Sequence, residues 1–172
     1  MERLWSPWRM RYLTGSKAQG CILCEKLREG NDRENLVVHR GERAFICLNL
    51  YPYSNGHLMV SPYEHVSRLE MLDDATQLDL MRQVTVGMRL LRHVMNPSGF
   101  NVGINIGRSA GAGVDDHVHI HVVPRWDGDT NFMPVVGETR VLPELLETTR
   151  DKLAAAVAVV LGELNAPAEG VG

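Results

Sequence analysis

Residues 117 to 124 read His-Val-His-Ile-His-Val-Val-Pro, three histidines at alternate positions among β-branched residues. Alternation with a period of two is the pattern of a half-buried strand, and β-branched side chains favour that pleated surface. A strand over residues 117–123 would set His117, His119 and His121 on one face at intervals of about 6.6 Å, with Val118, Ile120 and Val122 packed underneath. A single histidine on such a face is ordinary. Three are not, because each is a neutral base and nucleophile near pH 7 with an ordinary pKa of about 6.5. The row therefore points to metal binding or to acid–base and nucleophilic chemistry.

The flanking residues narrow that choice. Upstream runs Asn105-Ile-Gly-Arg-Ser-Ala-Gly-Ala-Gly-Val114, and downstream come Pro124, Arg125 and Trp126. Glycines let backbone N–H groups turn toward a common point, which is how anion-binding nests are built. A phosphate cradle beside histidines favours phosphoryl chemistry. The middle histidine, with a neighbour on each side to hold its tautomer and to meet phosphate oxygens, is the natural nucleophile.

The segment His117-Val-His119-Ile-His121-Val-Val resembles the histidine-triad (HIT) pattern of nucleotide hydrolases and transferases. Asn49, Gly56-His57, Asn105, Ala110-Gly111 and Pro124-Arg125 fit the same family, so the likeness runs from about Cys21 to Trp126. Leu4-Trp5-Ser-Pro-Trp8-Arg9-Met-Arg-Tyr12 and Trp126-Asp-Gly-Asp-Thr-Asn-Phe132-Met-Pro134 resemble the bacterial branch that includes diadenosine tetraphosphate phosphorylases. The resemblance implies an α+β, HIT-like fold in which a five-stranded antiparallel sheet carries one long helix and a C-terminal helix. It implies that His119 attacks an α-phosphorus to form a nucleotidyl-histidine, with His121 bonding a non-bridging oxygen and His117 beside them. Asn49, His57, Asn105 and the backbone of Gly111, Ala112, Gly113 and Val114 would surround the nucleotide. The implied substrate is a dinucleoside polyphosphate, with phosphate resolving the intermediate; the alternative is a hydrolase of phosphoramidates or dinucleoside polyphosphates that uses water. The chain departs from the pattern at Ala112-Gly113, where many members carry Gln-Ser or Gln-Thr, so an amide and a hydroxyl are missing near the phosphates.

Cys21-Ile-Leu-Cys24 has metal-ligand or redox spacing. One such pair is half of a tetrahedral zinc site, and the resemblance implies completion by His65, from Pro62-Tyr-Glu-His65, and by His117. Zinc there would be structural, and no organic cofactor is expected. Cys47 lies in an apolar run and reads as a small buried residue. The resemblance also implies a homodimer built through the long helix and the following strand.

At 172 residues with a net charge of −3, the chain suits one domain and lacks the clustered basic charge of a nucleic-acid binder. Arg3, Arg9, Arg11 and Lys17 form a small basic group, read as a solvated arm or as help for a polyphosphate tail. No apolar run reaches membrane length and no secretory segment follows Met1, so the expected location is the cytoplasm, away from membranes.

Short β-rich runs at residues 36–39, 44–49 and 57–62 are separated by turn chemistry. Over residues 74–95 the period changes, with Leu78, Met81, Val84, Met88, Leu91 and Met95 spaced as one buried helix face; Asp73 or Asp74 can cap its start and Asn96-Pro97 its end. Residues 100–106 supply another strand, and Pro143 opens a helix through residue 164 as a first-turn proline. The expected organisation is an N-terminal arm at 1–20, a HIT domain at 21–134, and a C-terminal helix with a frayed tail at 135–172. Leu48, Leu50 or Phe45 could line a base slot, and Arg125 could hold extra phosphate charge. Two readings of other classes remain open at this point: a metalloenzyme using all three triad histidines as ligands, although the outer pair would be about 13 Å apart along a strand, and a non-catalytic nucleotide-binding regulator.

Overall fold

The structure, a computed structural model, describes residues 20–129 and 143–166. The N-terminal aromatic and basic arm, the segment around Phe132 and Pro134, and the last six residues lie outside the described residues.

Five strands form one antiparallel sheet: β1 (Val37–Arg40), β2 (Ala44–Leu48), β3 (Leu58–Pro62), β4 (Gly99–Ile104) and β5 (Ile120–Arg125), in the spatial order β1-β2-β3-β5-β4. This is the expected α+β fold. A short helix, α1 (Ile22–Arg28), was not foreseen; the Cys-x-x-Cys pair sits at its start, with Cys21 as the residue before the first turn. The long helix α2 (Asp74–Met95) has the expected limits. The Asp73 side chain accepts the Thr76 N–H at 2.7 Å, and Asn96 closes the other end in the left-handed conformation.

Cross-strand register divides the sheet into two faces. Cys47 pairs with Met59, Met59 with His121, and His121 with Gly103, so these residues share a face. On it Leu23, Val37, Phe45, Cys47 and Met59 form a small core with α1. The opposite face carries Ile46, Leu48, Leu58, Val60, Ile120 and Val122 into the main core beneath α2 and the C-terminal helix α3 (Leu146–Asn165). The larger core anchors the sheet; the smaller face is left for the site.

The buried stripe of α2 differs from the expected one. Leu80, Val84, Gly87 and Leu91 point inward, whereas Leu78 and Met81 are 56% and 54% exposed. Two causes act together. Gly87 is the point of close approach, where a Cβ would lie 3.2 Å from Leu58 Cδ1. The polar Asp79 and Gln83 are also buried, because Asp79 accepts the Arg43 N–H at 2.8 Å in the β1–β2 turn and Gln83 packs over Gly41. A stripe read from apolar residues alone misses a helix that turns polar groups inward. Pro143 likewise falls outside the first turn of α3, since Leu145 is the residue that precedes the helix.

Helix α3 also braces the chain before β3. Buried Thr149 donates to Asn55 Oδ1 at 3.3 Å or to Glu144 Oε2 at 2.7 Å, and Arg150 donates to the Val37 carbonyl at 2.7 Å.

Candidate active site and metal cluster

The histidine segment is only partly strand. Regular pairing begins at Ile120, so His117, Val118 and His119 run ahead of β5 rather than inside it. The cause lies in where their backbone groups are bonded. The Val118 N–H goes to the Val66 carbonyl at 2.7 Å, the Val118 carbonyl accepts from Ser61 Oγ at 2.9 Å, and the His117 carbonyl is taken by a side chain. Val118, Ile120 and Val122 are nonetheless buried in the main core as expected. The histidines themselves part company. The rings of His119 and His121 meet edge-on with centroids 4.8 Å apart, while His117 packs edge-on against His65 at 5.2 Å.

Hydrogen-bond partners dictate the tautomers, because a carbonyl can only accept and a backbone N–H can only donate. His119 Nδ1 lies 2.9 Å from the His117 carbonyl and therefore carries its proton, leaving a bare lone pair on Nε2. A second chain of reasoning runs through His57, which is fully buried. The Tyr53 N–H donates to His57 Nδ1 at 3.0 Å, with the Asn49 amide at 3.4 Å from the same nitrogen. His57 thus carries its proton on Nε2 and donates it to His121 Nδ1 at 3.0 Å. His121 is left with an Nε2–H. Burial, and then the neighbouring His119, push the His121 pKa down to about 4, so the ring is neutral near pH 7. The pair sets the His119 Nε2 beside an uncharged donor, a combination suited to attack on an anionic phosphate.

Around this pair the other expected residues fall as follows. Asn49 ends β2, and its Oδ1 accepts the Tyr51 N–H at 2.9 Å, so its amide shapes the loop that holds His57. Asn105, half-buried, follows β4 at the start of the glycine loop. In that loop Gly107 and Gly111 have φ of 81° and 82°, a conformation that favours glycine. The Gly111 and Ala112 N–H groups are bonded within the turn, to Arg108 and Gly107 carbonyls at 3.0 and 3.4 Å. Among the described residues, the N–H groups of Gly113 and Val114 have no such partner. An Arg108–Asp115 ion pair of 2.5 Å spans the loop.

Two expectations are corrected. Phe45 and Leu48 are fully buried in the two cores and cannot line an open base slot, leaving only Leu50 half-exposed. Arg125 is engaged with Asp129 at 2.7 Å and with Asn101 at 2.9 Å, so its charge is already matched. One residue beside the site went unnoticed in the sequence: Tyr53, whose ring lies against His57 and His121. Its signal was an aromatic residue in a turn four positions before a histidine, which is easily passed over as turn composition.

The second half of the segment makes a metal cluster. Cys21, Cys24, His65 and His117 each offer a ligand atom, and the four atoms lie within 4.8 Å of one another. Cys21 Sγ is 3.3 Å and Cys24 Sγ 3.5 Å from His117 Nδ1, and Cys24 Sγ is 3.4 Å from His65 Nδ1. Sulfur and nitrogen ligands of one tetrahedral zinc would stand about 3.6 Å apart, from usual bond lengths of about 2.3 and 2.1 Å. The donor set fits that ion. His117 Nε2 donates to the Pro62 carbonyl at 3.0 Å, turning Nδ1 toward the cluster, and Asp116 lies 3.8 Å from His65 Nε2. Burial lowers the His117 pKa, which keeps the ring in its ligating form. In the polypeptide alone, burial and the adjacent Cys21 raise the Cys24 thiol. His119 and His121 are not in this cluster, so the geometry goes against a metal held by all three triad histidines.

Comparison with known proteins gives a consistent picture. The profile described as the HIT domain matches residues 31–128. A Mycobacterium tuberculosis protein named AP-4-A phosphorylase is 44% identical over 162 residues, spanning 90% of this chain and 83% of that protein. The Schizosaccharomyces pombe protein named bis(5'-nucleosyl)-tetraphosphatase [asymmetrical] is 34% identical over 93 residues, covering 54% of this chain and 50% of that one. Among solved structures, a Zn-bound histidine triad family protein from Mycobacterium smegmatis superposes with a TM-score of 0.69 at 24% identity, over 84% of this chain and 97% of that one. No helix among the described residues is long and apolar enough to cross a membrane.

Proposed function

Because the chain belongs to the HIT domain family, we propose that it cleaves dinucleoside polyphosphates at the α-phosphate, diadenosine tetraphosphate foremost, and passes the nucleotidyl group to inorganic phosphate. The observation that carries this reading is the pair of opposed ring nitrogens: a bare His119 Nε2 beside a protonated His121 Nε2. The 44% identity to AP-4-A phosphorylase, over most of both chains, selects the substrate class.

In the first step the His119 Nε2 lone pair forms a bond to the α-phosphorus, and the bond from phosphorus to the bridging oxygen breaks. The leaving nucleoside triphosphate departs as an anion and needs no proton. His121 Nε2–H bonds a non-bridging oxygen, and the Gly113 and Val114 N–H groups face the developing charge, with Asn105 and the Asn49 loop holding the nucleotide. In the second step a phosphate oxygen attacks the same phosphorus and the N–P bond breaks, giving a nucleoside diphosphate and restoring the neutral imidazole. Residues 21–134 form the catalytic unit in this reading, with the C-terminal segment packed on it.

Cys21, Cys24, His65 and His117 would hold a structural zinc, which when bound supplies a cross-link between α1 and the residues before β5 rather than Lewis-acid chemistry. Such a thiolate site suits the reducing cytoplasm. The protein would act as a homodimer. Edge strand β4 leaves Val102 and the following Ile106 exposed, an apolar edge that a second copy would cover. Sedimentation giving about twice the 19.2 kDa chain mass supports this, and a monomer at micromolar concentration removes it.

The deciding assay supplies diadenosine tetraphosphate with and without phosphate. ADP and ATP should form only when phosphate is present, with labelled phosphate entering ADP. AMP formation without phosphate would move the assignment to a hydrolase, and faster cleavage of an adenosine phosphoramidate would change the substrate class. Nucleotide binding with no turnover of any of these would leave a binding regulator.

A further inference from the structure

We infer that Ser61 is a positioning residue for the nucleophile, its hydroxyl replacing a backbone hydrogen bond that Pro62 cannot make, an inference that rests on the role proposed above for His119. Ser61 is fully buried on the small-core face of β3, opposite Phe45. Its Oγ donates to the Val118 carbonyl at 2.9 Å. The ladder beside it explains why a strand that begins Leu-Met-Val places a hydroxyl there.

Along an antiparallel strand, successive residues turn their N–H and C=O groups alternately to one neighbouring strand and to the other. The Asn49 N–H bonds the His57 carbonyl and the Tyr63 N–H bonds the Arg43 carbonyl, so the odd-numbered residues along β3 turn toward β2. Leu58, Val60 and Pro62 therefore turn toward β5, where Leu58 pairs with Val122 and Val60 with Ile120. The next pair in that register is Pro62 with Val118. Proline has no N–H to give. The Val118 carbonyl thus meets no ladder donor, and a buried carbonyl left unpaired is costly. Ser61 supplies the donor from its side chain. The other half of the broken pair is reassigned as well: the Pro62 carbonyl accepts from His117 Nε2 at 3.0 Å, and the Val118 N–H goes to the Val66 carbonyl at 2.7 Å.

These bonds reach the nucleophile through two peptide groups. A trans peptide points its C=O and N–H in opposite directions. With the N–H of the peptide joining His117 to Val118 held by Val66, its carbonyl faces the other way and receives the His119 Nδ1–H at 2.9 Å. The peptide joining Val118 to His119 is held at its carbonyl by Ser61. Both peptides beside Val118 are thereby fixed, and with them the geometry in which His119 Nδ1 meets the His117 carbonyl. In Ser61→Ala the Val118 carbonyl loses its donor, that peptide is free to turn, and the His119 ring loses its fixed acceptor.

The test joins kinetics to NMR of the histidine ring nitrogens, which reports the nitrogen of His119 that bears the proton. Wild type, Ser61→Ala and Ser61→Thr are compared on diadenosine tetraphosphate with phosphate, and metal content is measured for each. Wild type should show His119 in a single form, protonated at Nδ1. Ser61→Ala should show a mixture of the two forms, and its kcat should fall between about tenfold and a hundredfold with KM unchanged, as expected when a reacting group is misplaced. Ser61→Thr keeps the hydroxyl and should restore the single form and most of the rate. A single form intact in Ser61→Ala overturns the inference whatever the rate, and so does a loss carried by KM. Loss of bound metal in Ser61→Ala would route the effect through the cysteines and overturn it too. Equal damage in both variants would mean that the position needs serine's volume and not its donor, which also overturns it. The ring spectra are taken without substrate, so wild type that turns over no dinucleotide yet shows the single form, lost in Ser61→Ala, would overturn the functional reading and support the clamp.

Discussion

His117 and His119 stand two residues apart in one short segment and do opposite things with their rings. His117 gives its Nε2–H to the Pro62 carbonyl and turns Nδ1 to the cysteines; His119 gives its Nδ1–H to the His117 carbonyl, which leaves Nε2 for chemistry. The same side chain becomes a ligand in one place and a nucleophile in the other, and the only difference is which nitrogen meets a carbonyl. A histidine's role is thus written by the acceptor behind it. The two ends are also joined, because the carbonyl that orients the nucleophile belongs to the residue that joins the metal cluster.

The sharpest way to separate the ends is His119→Ala. Turnover should fall by several orders of magnitude while melting temperature, metal content and nucleotide affinity change little, because only the covalent route is removed. Steady-state kinetics beside metal analysis would read both, and retained activity would end the distinction between ligand and nucleophile.

A smaller effect is expected from His57→Phe. It removes the donor that leaves His121 with its outward Nε2–H, so kcat should fall by about a hundredfold, within the usual range for a misplaced acid–base partner. His57→Gln can still donate to His121 Nδ1 and should recover part of the loss. Equal damage in both variants would mean that His57 acts by packing alone.

Smaller again for catalysis, but large for the fold, is Cys21→Ser at the other end. Bound zinc should be lost and the melting temperature should drop by about 5–10 °C, while kcat falls only about tenfold. Unchanged melting after metal removal would make the cluster incidental.

The mildest prediction concerns acid. The His121 pKa is about 4 in the folded chain against an ordinary 6.5, so between those values the unfolded chain binds more protons. The stability this ring contributes is therefore present above about pH 6.5 and is lost as pH falls through the window toward 4. Thermal melts of wild type and His121→Gln at several pH values would show it. The variant should lose less stability on acidification, and parallel profiles would assign the effect to another group.

Much of this was legible before any coordinates. The period of two placed Val118, Ile120 and Val122 in the core, and Asp73 and Asn96 marked both ends of α2. The Cys-x-x-Cys spacing, with the family likeness, named the four residues that converge. The helix face was misread because Asp79 and Gln83 are buried for hydrogen bonding in the β1–β2 turn, a partner about forty residues away that no local pattern announces. Tyr53 escaped for the same reason, since its meaning depends on His121 and on α3, neither of which is near it in sequence.

Local sequence by itself determined the five strands and the long helix in outline, since periodicity, capping and turn chemistry act between residues a few positions apart. It also determined the chemical types available: imidazoles, thiols and a glycine-rich loop. Only the tertiary structure decided which histidine would bind, which would attack and which would hold a proton for its neighbour. Those choices turn on single hydrogen bonds from Pro62, His117, Tyr53 and His57, and a carbonyl or amide acquires that power only when folding brings it within about 3 Å of a ring nitrogen and excludes the water that would otherwise accept either tautomer.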